Sequence, residues 1–106
     1  MARTLIHIPP EPRRGDILEL RVTIAHPMDT GLQHDSPGHV VPRNLLTQFT
    51  CSLDGQPVFS AELYAAVAAN PYLAFTLRAE RDGVLSFTWE GDNGFRQTET
   101  RDLRLA

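Results

Sequence analysis

The side chains best suited to chemistry collect in one stretch. His26, His34 and His39, three of the four histidines in the chain, fall in a single interruption of an otherwise strand-like sequence, with Met28 beside the first of them. Imidazole and thioether together form a plausible ligand set for copper. The spacing lacks a His-x-His pair, and loop histidines more often face solvent than a metal, so a polar loop competes with a copper module built from His26, Met28, His34 and His39. Cys51 is the only cysteine, which excludes an internal disulfide. It lies in Phe49-Thr-Cys-Ser-Leu53 on the parity of the large apolar residues. That parity points the thiol inward, where it acts as a small hydrophobe rather than a nucleophile.

Other routes to catalysis find little support. No serine sits in a nucleophile elbow, and no pair of carboxylates stands apart from the scatter of surface acids. Gly15, Gly31 and Gly38 are isolated, so there is no glycine-rich phosphate cradle. These residues give no reason to expect an enzyme, and no catalytic residue, cofactor or metal ligand is assigned.

A chain of 106 residues fits one domain over 1–106, large enough to bury a core of its own. The formal net charge is −3 and every basic side chain is Arg. A mildly acidic domain with scattered arginines gives no electrostatic case for nucleic acid. No apolar run approaches the length of a membrane-spanning helix. The stretch Met1 to Pro10 has one early Arg but neither the apolar core nor the cleavage site of an export signal, so taken alone it reads as cytoplasmic.

The elements that must position the loop are strands. Leu18, Leu20, Val22 and Ile24 alternate with Glu19, Arg21 and Thr23, the period of a strand with one wet face. Before it, Leu5 to Ile8 is closed by Pro9, Pro10 and Pro12 and can be no more than an edge strand. After the loop, Thr47 to Leu53 resumes the alternation, and Asp54-Gly55 signals a hairpin to a returning strand over Gln56 to Leu63. The alanine-rich Tyr64 to Tyr72 segment is expected to make about two helical turns before Pro71 stops it. Leu73 to Ala79, Leu85 to Trp89 and a polar last strand from Phe95 to Leu105 follow, the last suited to an edge. About seven short strands with frequent turns and one Trp in a strand predict an all-β fold, an immunoglobulin-like antiparallel β-sandwich. Asn70-Pro71-Tyr72-Leu73 places an aromatic after a rigid turn, where it could anchor a partner or pack as a corner tyrosine.

Several stretches, in order, resemble SoxZ, the small subunit of the SoxYZ carrier of bacterial thiosulfate oxidation. They are Ile24-Ala-His-Pro-Met-Asp-Thr-Gly-Leu32, Val41-Pro-Arg-Asn44, Phe49-Thr-Cys51, Val58-Phe-Ser-Ala61, Ala66-Val-Ala-Ala-Asn-Pro-Tyr-Leu73 and Phe87-Thr-Trp89. The resemblance implies an immunoglobulin-like, non-catalytic subunit that forms a heterodimer with a SoxY-like subunit and meets other Sox enzymes transiently. In that pairing SoxY holds the sulfur intermediates on a cysteine near its C-terminus. It also implies a periplasmic location, reached by export together with a signal-bearing SoxY. Where the family is expected to carry His-Pro, this chain has Tyr64-Ala65, so no role of that histidine carries over. From loop position and motif, the expected partner contacts are Met28, Leu32, Tyr72 and Leu73 as apolar residues and His26 and Arg43 as polar ones. A small enzyme acting on sulfur species through Cys51 is a further alternative.

Overall fold

A computed structural model describes residues 2–106; Met1 lies outside the described residues. The architecture is two antiparallel sheets face to face with a small hairpin at one end. One sheet has the order β1 (Thr4–His7), β2 (Ile17–Ile24), β7 (Tyr72–Arg78). The other has the order β6 (Gln56–Glu62), β5 (Leu46–Leu53), β8 (Gly83–Gly91), β9 (Arg96–Leu103). The hairpin, β3 (His34–Ser36) with β4 (His39–Val40), rises from the long β2–β5 connection. Seven strands thus make up the two large sheets, as the sandwich reading expects.

Period-two patterning explains the layering, because one face of each strand must be buried against the other sheet. Leu18, Leu20, Val22 and Ile24 of β2 are buried, facing Phe49, Cys51 and Leu53 of β5 and Leu85, Phe87 and Trp89 of β8. Phe75 of the three-stranded sheet crosses the gap to meet Phe49 at 5.8 Å and stacks on Phe59 of β6 at 4.4 Å, while Phe49 meets Trp89 at 5.1 Å. Aromatic pairs in such geometries add to what their buried area alone contributes.

The turns follow their sequence signals. Asp54 and Gly55 both take positive φ, 49° and 84°, and close the β5–β6 hairpin. The Asp82-Gly83 stretch does different work: β7 pairs with β2 and β8 with β5, so this connection passes from one sheet to the other. β1 and the polar β9 are both sheet edges. The two helical turns expected over Tyr64 to Tyr72 do not form. That segment is a run of turns with one Val67 N–H to Tyr64 C=O bond of 2.9 Å. Alanine content favours a helix, but so short a piece lacks the bonds to repay nucleation, and its end is fixed elsewhere by Asn70.

Candidate functional site

The two most distinctive stretches of the sequence, one around His26-Pro-Met and the other around Asn70-Pro-Tyr, are bonded to each other. The His26 amide donates to the Asn70 side-chain oxygen at 3.0 Å, and the Asn70 amide donates to the His26 carbonyl at 2.7 Å. Asn70 adopts φ 53° to do so, a left-handed conformation that asparagine tolerates better than most residues. Met28, with φ 54°, turns the chain a second time. Its amide donates to His26 Nδ1 at 3.1 Å, and its sulfur accepts the Leu46 amide at 3.3 Å.

The returning limb is tied just as closely. Asp29 and Asn44 exchange backbone hydrogen bonds of 2.9 and 2.7 Å. Arg43 donates to Asp92 at 2.8 Å, and the Leu45 amide donates to the same carboxylate at 3.0 Å. The Arg43 guanidinium, followed by the Leu45 amide, holds the Asp92 carboxyl below the usual carboxylate range. Gly31 takes φ 85°, and a side chain there would crowd Arg43. Gly91 is extended, but a side chain there would run into the Leu45 backbone.

His26 sits at the centre of this ring and is buried at 4 % exposure. Phe95 meets it edge-on at 5.4 Å. With Nδ1 accepting from Met28, the neutral ring carries its proton on Nε2, and Nε2 has no hydrogen-bond partner among the described residues. Burial lowers the His26 pKa, opposed by smaller contributions from Asp29, Asn44 and Asp92 that favour the charged form.

The six residues expected to meet a partner divide sharply. Leu32 is 82 % exposed and Tyr72 59 % exposed, and Arg43 is exposed while paired with Asp92. His26 and Met28 are in the core, so the expectation that they offer surface contacts is corrected: they hold the loop in place from within. Leu73 is likewise turned inward, partly buried against the core, because β7 alternates and Tyr72 takes the outer face. Sequence reasoning missed Asp92, Asn44 and Phe95. The turn residues Gly91-Asp-Asn-Gly94 are a local signal for the place of Asp92 but not for its ties, since Arg43 and Leu45 lie far away in sequence.

The copper alternative also meets a correction. His26 and Met28 are buried and bonded internally, whereas His34 and His39 lie on the exposed β3–β4 hairpin, where His39 pairs with Asp35 at 2.5 Å. No group of three His, Cys, Asp or Glu side chains that could hold a metal ion occurs among the described residues. Cys51 is fully buried, and burial pushes its thiol up to about 12. Such a thiol is neither ionised nor reachable, which removes the basis for a Cys51 enzyme. An open cleft beside Arg43, lined by Leu45, Thr47, Glu62 and Tyr64, offers no better receptor: Arg43 is neutralised by Asp92, and the Tyr64 hydroxyl donates to Glu62 at 2.6 Å.

Comparison with known families decides the relationship. The family model described as sulphur oxidation protein SoxZ matches residues 6–102. The chain belongs to the SoxZ family. Membership makes it a subunit of sulfur oxidation. No curated protein matches the chain. Among solved structures, it is similar to a superoxide reductase (neelaredoxin) from Ignicoccus hospitalis at 13% identity, covering 99% of this chain and 82% of that one, with a TM-score of 0.74. A putative superoxide reductase from Thermotoga maritima is similar at 13% identity, covering 97% of this chain and 85% of that one, with a TM-score of 0.73. At such identity the likeness speaks for the shared sandwich and nothing more. Of the stretches that resemble SoxZ, those around His26-Pro-Met, Arg43-Asn44 and Asn70-Pro-Tyr lock the loop root, and the others lie in strands.

Proposed function

We propose that this chain is the non-catalytic half of a sulfur-compound carrier, forming a heterodimer with a SoxY-like subunit that bears the sulfur intermediates on its own cysteine. One observation carries the reading: the chain's single cysteine is fully buried, with its thiol pushed up to about 12. A buried, un-ionised thiol is not available to form the sulfur–sulfur bond through which a cysteine carries a sulfur intermediate, which supports a covalent site on a partner. The cross-tied loop root then serves as a rigid base, and the exposed side chains Leu32, Arg43 and Tyr72 are the contact residues, with His26, Met28 and Leu73 supporting them from inside. Other Sox enzymes would meet this platform transiently. The address is the periplasm, reached in company with a partner that carries the export signal.

Co-expression with a SoxY-like subunit tests this. The expected outcome is a one-to-one complex by size exclusion and mass, with thiosulfate-derived mass on the partner alone and undiminished by Cys51→Ser. A sulfur adduct on this chain, or failure to form the complex, would overturn the reading. Fractionation of the source cells should place the complex in the periplasm.

A further inference from the structure

Four strands form the lateral edges of the two large sheets, and three are protected against pairing with another chain. β1 has only four residues and runs into Pro9 and Pro10. β6 contains Pro57, beside an irregularity in its pairing with β5. β9 carries Arg96, Glu99, Arg101 and Asp102. Short length, proline, irregular register and charge are the usual means of blunting an edge. β7 has none of them: Tyr72–Arg78 is seven residues long, uncharged up to Leu77, free of proline, and in unbroken register with β2.

The phase of β7 shows which groups it leaves open. Ala79, just past its end, directs both backbone groups at the β2 side, accepting from the Gly15 amide at 2.7 Å and donating to the Asp16 carbonyl at 2.8 Å. Because such groups alternate along an antiparallel strand, Tyr72, Ala74, Thr76 and Arg78 turn theirs to the free edge. Their side chains are the exposed ones, while Leu73, Phe75 and Leu77 face the core.

We propose that this edge pairs with the β7 edge of a second copy of the chain, across a twofold axis at Phe75. That register satisfies all four open residues at once. Tyr72 stands opposite Arg78 of the second copy, Ala74 opposite Thr76, and Leu73 opposite Leu77, exchanging about eight backbone hydrogen bonds. The charges agree with a like partner. Arg78 is the only charged residue of the strand. It lands beside a tyrosine ring, where a guanidinium is favourably placed, and the two copies of Arg78 lie about 20 Å apart. On the outer face the twofold sets Arg78 between two exposed apolar side chains, its own neighbour Ile17 and Tyr72 of the second copy, against which its aliphatic stem can lie. Leu5, Thr23 and Tyr72 are already registered side by side, and Ile17 pairs with Arg78. The twofold therefore brings the exposed Ile17 of one copy into line with the exposed Tyr72 and Leu5 of the other.

Tyr72 serves as a contact in both pairings, so the two exclude each other at this edge; measured on the chain alone, the self-pairing is tested without the heterodimer reading. Sedimentation equilibrium should show a concentration-dependent dimer, and hydrogen exchange should show Ala74 and Thr76 amides protected only at dimer-forming concentration, with the Phe75 amide protected throughout. Thr76→Pro removes an edge donor without touching the β2 ladder and should weaken the dimer about a hundredfold. If that variant fails to fold, Ala74→Arg, which sets like charges near the axis, should have the same effect in a chain that still unfolds cooperatively, its place opposite Arg21 in the β2 ladder costing only a little thermal stability. A chain still monomeric at about 1 mM, or a dimer in which the Ala74 and Thr76 amides exchange freely, would overturn the proposal.

Discussion

The β2–β5 connection contains two regions of opposite character. Its root, His26 to Asp29 on one limb and Arg43 to Leu46 on the other, is knitted to itself, to Asn70 and to Asp92. Its tip, Leu32 to Val40, is exposed at every position, and the polar bonds of its hairpin, such as His39 to Asp35, are made largely within it. Equal tolerance of change is not expected from such unequal surroundings. The root is part of the core carried on loop backbone; the tip is surface held out on a fixed stem.

The largest expected difference lies in packing. Met28→Ala removes a buried side chain and the sulfur that accepts the Leu46 amide, and should cost about 3 kcal/mol in chemical denaturation. Leu32→Ala at the tip should stay within about 0.5 kcal/mol of the parent. Comparable losses at both positions would erase the distinction between root and tip.

Next is pH. A histidine whose folded pKa is lowered binds fewer protons in the folded state than in the unfolded one, so stability is full above the unfolded value, about 6.5, and falls as pH drops below it. Protonation at Nδ1 would also displace the Met28 amide. Denaturation midpoints measured from pH 8 down to about 5 should therefore decline in the parent and flatten in His26→Leu, whatever the absolute stability of that variant. His34→Ala with His39→Ala, both at the exposed tip, should leave the decline intact. Asp92 sharpens the same contrast at lower pH. Its folded pKa is depressed by Arg43 and the Leu45 amide, so its stabilising effect is present above the ordinary carboxylate range and is lost only as pH falls through the depressed folded value. Asp92→Ala should remove that acid limb and loosen the root, seen as faster exchange of the Leu45 amide.

The sequence conveyed the sandwich because alternation is a local signal: β2, β8 and, from Phe49 onward, β5 bury every second residue, as their apolar spacing demands. It conveyed Cys51 for the same reason. The segment after Leu63 misled, since alanine content reports intrinsic preference while the backbone there is fixed by the distant pairing of Asn70 with His26. The candidate site was legible as a place and not as a geometry. His26 and Met28 stood out by type, but only the arrival of Leu46, Asn70 and Phe95 from other parts of the chain turns a polar loop histidine into a buried one.

The smallest effect on stability bears most on function. Leu32 has 82 % of its surface exposed at the start of the tip, directly after Gly31, whose positive φ and close approach to Arg43 fix where the tip leaves the root. A large aliphatic side chain in that position contributes little to the isolated fold, and its exposure to water is mildly unfavourable. Its burial by a partner would be worth about 2 kcal/mol. Leu32→Ser should thus leave the unfolding midpoint within experimental scatter while weakening the complex with a SoxY-like subunit by about thirtyfold in a titration. Gly31→Ala offers the matching test from the stem: it should weaken the same complex by tilting the tip, with Leu32 still present. Unchanged affinity in both variants would show that the tip is a passive loop and that the partner contacts lie elsewhere on the sandwich.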